Sequence, residues 1–547
     1  MPPQPLQPPR ADDFAPTNPL ADPLLADAYE FTMAYAWWKD GKADRDAVAD
    51  LYFRRNPFGG EFTVFAGLAE VARFLAGYRF TDHHIERLRA LLPAGADPGF
   101  FDWLRALTPD RVRVRALREG SFAFPRVPLL IVEGPIAQVQ LLETALLTLV
   151  NYPTLVATAA ARLRLAAGPD RRLLEFGLRR APGVDGGISA SRYAYVGGFD
   201  ATSDVKAADL FPELPVAGTH AHAFVQSYLG LADADPSGFA AAAGSPFDLK
   251  EAALRYRARL DAPHTNDGEL AAFLAYAAAY PRAFLALVDT YDTMRSGLPN
   301  FLAVALALHE AGYAPLGIRL DSGDLAYLSR RARAAFEEVS ARFSVPFARL
   351  TIVASNDLDE ATILALSVQG HQIDTFGIGT RLVMPGEALG AVYKLMAVDG
   401  HPRIKVSNDS AKISIPGRKN AYRLFAGGSD GGQPVPVVDL MTLADEEPPV
   451  PGRPVLCRHP FDETKRVLVT PRRVEDLYGV VWDGAARREA IAPLEKVRAA
   501  VLEQLAHFRQ DHLRAVNPTP YKVSVSARLY DFVHDLLASE APIAEIH

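Results

Sequence analysis

The sequence is most informative first in what it lacks. Cys457 is the single cysteine in 547 residues, so no intrachain disulfide can form and a thiolate zinc site is excluded. It reads as a small side chain with no redox role. No apolar run approaches the ~20 residues that cross a bilayer. The N-terminus shows no charged region followed by an apolar stretch, so no signal peptide is expected. Basic charge is not in excess: 58 Lys and Arg against 65 Asp and Glu leave a formal −7, which gives no general affinity for nucleic acid. A G-x-x-x-x-G-K-[ST] phosphate loop is missing. So is a G-x-G-x-x-G strand–helix junction, which disfavours a dinucleotide dehydrogenase. No solenoid repeat is visible. These absences fit a reducing, cytoplasmic compartment and neither membrane nor nucleic-acid partners, and leave any bound anion to be held by other loops.

What is there is globular. At 49% hydrophobic and 22% charged residues, the chain can bury the cores of two or more domains. Residues 1–17 hold six prolines and little to bury, so they read as a disordered leader. Residues 18–150 read as an α+β domain, with two or three antiparallel strands over Val112–Val132 and an apolar helix over Leu141–Val156, broken or bent at Pro153. Residues 151–425 alternate short apolar runs with helical stretches, the pattern of an α/β barrel. Strand runs are expected at Arg172–Gly177, Tyr193–Asp200, Pro215–Thr219, Phe284–Asp289, Leu316–Asp321, Leu350–Asn356 and Ile373–Thr380. Helices are expected at Pro299–Glu310, Leu325–Phe343 and Leu358–Gln369, the last capped by Ser355, Asn356 or Asp357. A proline- and glycine-rich stretch over 426–454 introduces a C-terminal segment, 426–547, expected to pack on the N-terminal domain.

In such a barrel the carboxyl ends of the strands form the reactive rim, and here they carry a high density of polar groups. Arg319-Leu320-Asp321-Ser322-Gly323-Asp324 brings two carboxylates and a guanidinium to one loop, suited to a hydroxylated sugar, a divalent cation and an anion. It also suits a capped helix start. Gly377-Ile378-Gly379-Thr380-Arg381 lies late in the barrel order, where backbone N–H groups often cradle phosphate. Arg179 and Arg180 follow the Glu175 strand, and adjacent arginines are usually a solvated face. His220 and His222 stand two apart after an expected strand, so only one is expected to face the site. An imidazole acting on phosphate fits them better than a metal pair, with a packed histidine as the plain alternative.

Taken together these stretches resemble nicotinate phosphoribosyltransferase, in its longer form, over most of the chain. The resemblance rests on Asp27–Met33, Phe53–Gly60, Glu175–Ala181, Gly197–Asp200, Gly218–His222, Ser296–Phe301, Arg319–Asp324 and Gly377–Thr380. It implies an irregular α/β barrel of the type II phosphoribosyltransferase class, with an N-terminal α+β domain completed by C-terminal residues. It implies nicotinate, phosphoribosyl pyrophosphate and ATP as substrates, Mg²⁺ or Mn²⁺ as cofactor, and a homodimer with active sites at the interface. By the same resemblance His222 is the phosphorylated histidine, and Tyr29, from the partner subunit, stacks on the pyridine. Thr219 and Arg319 contact nicotinate, and Thr380 contacts phosphoribosyl pyrophosphate. Arg179, Asp289, Asp321 and Gly379 belong to the same pocket. Relatives that use nicotinamide carry an aspartate where Thr202-Ser203 align, and Ser203 is uncharged. His220 departs from the family pattern, which has a less basic residue there; it either perturbs His222 or faces away. The alternatives are a nicotinamide or quinolinate phosphoribosyltransferase, a Schiff-base lyase on Lys394 or Lys405, whose flanks suggest no desolvation, and an inactive barrel homologue.

Overall fold

A computed structural model describes residues 16–92, 95–406, 412–427, 432–484, 486–487 and 491–540. Of the leader, residues 1–15 lie outside the described residues. Thr17 is anchored: its N–H and hydroxyl donate to the Glu70 carboxylate at 2.9 and 2.8 Å. The chain forms two compact units, 1–161 together with 386–547, and 162–385.

The first unit is built from both ends of the chain. Its seven-stranded sheet runs 401–402, 392–398, 46–52, 130–135, 113–117, 478–483, 486–487, antiparallel throughout. A second sheet takes its six strands from 419–525 alone. The C-terminal segment therefore supplies strands to the N-terminal domain. The barrel ends at Pro385 rather than 425, because strand 392–398 pairs with 46–52. Between these sheets Lys419 Nζ meets the Asp50 carboxylate at 2.9 Å, with both side chains almost wholly buried. Burial pushes Asp50 up and Lys419 down, so this pair is held by its geometry against its desolvation cost.

Helix Glu143–Ala167 does not break at Pro153 but runs through it for 25 residues. Proline removes one helical donor, which leaves the Leu149 carbonyl without its usual partner. Gly67 packs on that oxygen, where a Cβ would come within 2.1 Å, and its φ of +101° also favours glycine. Thr158 and Thr154 then accept the Val64 and Ala66 N–H groups at 2.9 and 3.1 Å, tying the helix to the strand edge. By length and a mean hydropathy of 1.3 the stretch Ile136–Ala167 could cross a membrane, but 67% of its most apolar window is buried inside the protein. It is a core helix.

The second unit contains a six-stranded parallel sheet in the order 201–202, 172–175, 375–378, 351–354, 317–320, 285–287. Helices 298–310 and 325–343 form where the apolar periodicity places them. Three expectations fail locally. Tyr193–Val196 ends a helix begun at Gly183 rather than opening a strand, since its aromatic and β-branched side chains are equally at home on a buried helical face. Over 215–219 the ladder is a single bridge, Thr202 to Val216. Helix 360–368 is capped by Asp359, which accepts from the Thr362 N–H. Ser355, Asn356 and Asp357 instead form a sharp turn in which Asn356 and Asp357 have positive φ, a backbone that asparagine and aspartate tolerate better than most residues.

Candidate active site

Five adjacent parallel strands bring candidate residues to their carboxyl ends: Phe176 after 172–175, Gly379 after 375–378, Ser355 after 351–354, Asp321 after 317–320, and Asp289 just beyond 285–287. Arg319 and Asp321, two apart on an extended segment, fall on one side, while Ile318 and Leu320 between and beside them are buried. The Arg319 guanidinium donates through Nε to Ser355 Oγ at 2.8 Å and through Nη2 to Asp321 Oδ1 at 3.0 Å. It also lies 5.3 Å from the Phe176 ring centroid, within cation–π range. Among the described residues no acceptor engages Nη1.

Asp321 is the hub of the group. Burial alone would raise its carboxyl, but the Ser355 hydroxyl and the Arg319 guanidinium outweigh that and hold it below the usual carboxylate range. Its second oxygen lies 3.7 Å from His222 Nε2. Asp289 in turn accepts from the Asp321 N–H at 2.8 Å and from Ser322 Oγ at 2.6 Å, while its Oδ1 is buried without a hydrogen-bond partner.

The two histidines have different environments. His222 opens helix 222–226, and its Nδ1 sits 3.1 Å from Thr290 Oγ1. His220 is buried against Phe224, Phe273 and Tyr276, and its Nε2 accepts the Leu287 N–H at 3.2 Å. Burial pushes its pKa down to about 4, so the ring is neutral, as an acceptor must be.

The remaining sequence candidates are distributed less tightly. Gly379 packs on the Phe176 backbone, where a Cβ would come within 3.2 Å of the carbonyl oxygen. Thr380 opens the short helix 380–383. Thr219, on a loop, and Arg179, in the 3-10 turn 178–180, are exposed, and the structure draws neither into the Asp321 group. Tyr29 belongs to the first unit, 45% exposed on helix 28–39. Its hydroxyl is pushed up to about 12 by partial burial and by Glu143 and Glu30. Lys394, on the antiparallel 392–398 strand of the first unit, corrects an expectation: desolvation does lower its pKa. Its ammonium donates to the Tyr393 carbonyl at 2.7 Å, and neither it nor Lys405 is in the unit that carries the rim.

Three further residues matter that the motifs did not single out. Thr290 and Phe176 are visible only once the strand ends are brought together. Glu269 is concealed by its context, because Asn266-Asp267-Gly268-Glu269 reads as a helix start, and Asn266 does cap that helix. The Glu269 side chain turns inward instead, accepting from Ser296 Oγ at 2.5 Å and Asn300 Nδ2 at 3.1 Å. Desolvation raises it to about 7, with Asp289 and Asp292 adding to the rise.

Beneath the rim Glu175 is buried among the Gly177 N–H, Ser191 Oγ and Thr202 Oγ1. Asp204 caps helix 205–210 through the Lys206 and Ala207 N–H groups. The 202–204 stretch thus has its Thr and Asp side chains already engaged. For a metal, no group of three or more His, Cys, Asp or Glu gathers among the described residues. Asp289, with its unpartnered oxygen, and Asp321 are the carboxylates available, a set that suits Mg²⁺ completing its shell from water and substrate phosphate.

Residues 24–151 match the nicotinate phosphoribosyltransferase (NAPRTase) N-terminal domain, 172–425 the nicotinate phosphoribosyltransferase (NAPRTase) family, and 418–533 the corresponding C-terminal domain. Nicotinate phosphoribosyltransferase 2 of Arabidopsis thaliana is 52% identical over 546 residues, covering 97% of each chain. The Homo sapiens nicotinate phosphoribosyltransferase is 45% identical, covering 95% of this chain and 98% of its own. The crystal structure of human nicotinic acid phosphoribosyltransferase superposes with a TM-score of 0.83 at 44% identity, covering 93% of this chain and 99% of that one.

Glu269 gives a pH prediction. Its folded pKa, about 7, lies above the ordinary 4.5, so its contribution to stability is complete below the ordinary value and is lost as pH rises through the folded one. Urea midpoints of wild type should fall relative to Glu269→Gln between pH 5 and pH 8. Parallel curves would show that the carboxyl titrates normally.

Proposed function

This chain belongs to the nicotinate phosphoribosyltransferase family, and from that premise we propose that its barrel rim joins nicotinate to phosphoribosyl pyrophosphate, releasing pyrophosphate. The observation that carries this reading is the Arg319 guanidinium, fixed by Ser355 and Asp321 over the Phe176 ring. Nicotinate is a flat anion. A guanidinium with a free edge pairs with its carboxylate, and the neighbouring aromatic face suits its ring. The amide of nicotinamide would want an acceptor instead, and Asp204, the nearest carboxylate to Ser203 in sequence, is engaged in capping.

In the transfer, the pyridine nitrogen bonds to ribose C1 as the bond from C1 to the pyrophosphate oxygen breaks, through an oxocarbenium-like state. The chain's task is to align the nitrogen with C1 and to balance the charge of the departing pyrophosphate. Arg319 and Thr219 orient nicotinate. Arg179, Gly379 and Thr380 face the phosphates, and Asp289 and Asp321 serve the ribose side. Asp289 and Asp321 would hold Mg²⁺ or Mn²⁺, which would supply neutralisation of phosphate charge.

ATP enters through His222. Thr290 engages Nδ1, so Nε2, on the Asp321 side, bonds to the γ-phosphorus of ATP as its bond to the ADP oxygen breaks and ADP leaves, and hydrolysis later returns free imidazole and phosphate. By accepting the Nδ1–H, the Thr290 hydroxyl orients the ring as the third member of a catalytic triad does, and leaves Nε2 unprotonated for the transfer. A phosphoryl group adds up to about two negative charges, and next to Asp321 it reorganises the pocket toward tighter binding of phosphoribosyl pyrophosphate. The active unit is a homodimer in which the partner subunit's Tyr29 covers the pyridine; its exposure on helix 28–39 suits that role. The single buried thiol of Cys457 fits a reducing cytoplasm.

Incubation with nicotinate, nicotinamide or quinolinate, each with phosphoribosyl pyrophosphate and with or without ATP, should give a mononucleotide from nicotinate and a rate increase with ATP. His222→Ala should abolish that increase, and a variant stimulated like wild type would refute the phosphohistidine. Arg319→Ala should raise the nicotinate KM at least tenfold with the fold retained, as expected for a lost charged hydrogen bond. An unchanged KM removes Arg319 from the site. Mixing and reassembling Tyr29→Ala with His222→Ala should restore ATP-stimulated turnover that neither homodimer has, whereas no recovery would place both residues in one subunit's site.

A further inference from the structure

The parallel sheet of the second unit ends at strand 285–287 on one edge and at 201–202, extended by the Thr202–Val216 bridge, on the other. Among the described residues no backbone ladder joins these edges. Val288 donates its N–H to Arg319 O at 3.2 Å. Neighbouring N–H groups on a strand point to opposite sides, so the Leu287 N–H points away from that neighbour, out of the open edge. A buried backbone donor left there without a partner would be costly.

The acceptor it finds is a side chain. His220, four residues past the Val216 bridge, places Nε2 3.2 Å from the Leu287 nitrogen. The ring stands where the next strand's carbonyl would be in a closed barrel. It is 8% exposed and packed at 4.8 Å from the Tyr276 ring centroid. Two residues on, His222 meets Thr290, three residues beyond Leu287. The 220–222 segment is therefore fastened to the 287–290 segment at two points, one buried and one at the rim, and the rim point carries the imidazole that faces Asp321.

We propose that His220 is a positioning residue: by accepting the Leu287 N–H across the barrel seam, it fixes the register in which His222 reaches Thr290 and Asp321. The inference rests on the reading of His222 as the phosphate acceptor. What the position requires is a neutral acceptor at the end of a side chain of this length. Glutamine meets that requirement through its amide oxygen, and leucine does not, although leucine suits the apolar surroundings and should fold.

The experiment compares wild type, His220→Leu and His220→Gln in three measurements: thermal unfolding, hydrogen–deuterium exchange of the 285–289 peptide, and the ratio of turnover with ATP to turnover without it. His220→Leu should unfold within a few degrees of wild type, exchange faster at Leu287, and lose about fivefold to tenfold of the ATP stimulation, in line with one neutral hydrogen bond. His220→Gln should recover the stimulation to within about twofold of wild type, on the same hydrogen-bond scale. If wild type is stimulated and His220→Leu equally so, or if His220→Gln fails like His220→Leu, the inference is overturned while the function stands. A wild type with no ATP stimulation overturns the role of His222, and this inference with it.

Discussion

The Asp321 carboxylate is the interaction on which the rim depends. Partial burial would by itself push this group toward its neutral form. Here the Ser355 hydroxyl and the Arg319 guanidinium stabilise the charge, and each is delivered by a different parallel strand. The charged carboxylate then does two further things: it holds Arg319 in one orientation over Phe176 and presents its other oxygen to His222. Loss of charge at this one position would therefore loosen the anion contact and the imidazole together. The backbone must be close for this to work, and Gly317 makes it so: a Cβ there would sit 1.9 Å from the Thr351 carbonyl oxygen. Glycine draws strands 317–320 and 351–354 near enough for Arg319 and Ser355 to meet.

The sequence made the parts with strong periodicity legible. Strands ending near Glu175, Asp289, Asp321, Asn356 and Thr380, and the helices between the later ones, follow from apolar runs bounded by polar strand ends. The 193–200 stretch misleads because Tyr-Ala-Tyr-Val satisfies a strand pattern and a buried helical face alike. Only the sheet order, in which 201–202 is already the edge, decides between them. Pro153 misleads in the opposite sense, since the donor it lacks is a loss that Gly67 and Thr154, nearly ninety residues apart, accommodate by packing.

The site was legible as a list of residue types and illegible as a geometry. Arg319, Asp321 and Asp289 stand out because charged groups cluster at strand ends. Thr290 and Phe176 carry no such signal, and Glu269 is masked by an ordinary capping pattern. Ser355 looked like a helix cap, and its actual partners lie 34 and 36 residues away. Hydrogen bonds across neighbouring parallel strands join residues that local spacing cannot relate. The same holds for His220, whose partner is 67 residues distant.

The two-ended construction of the first unit also has a consequence for synthesis. Trp482 donates its indole N–H to the Pro109 carbonyl, 373 residues earlier in the chain, and strand 113–117 pairs with 478–483. At ribosomal speeds of about 5–20 residues per second, tens of seconds separate the emergence of these two strands. Until then 113–117 is a free sheet edge, the kind of template on which other chains aggregate. The contiguous 162–385 unit emerges whole in the meantime and can fold before its neighbour is complete. The catalytic barrel is in this sense the early product of translation, and the domain whose sequence comes first is finished last.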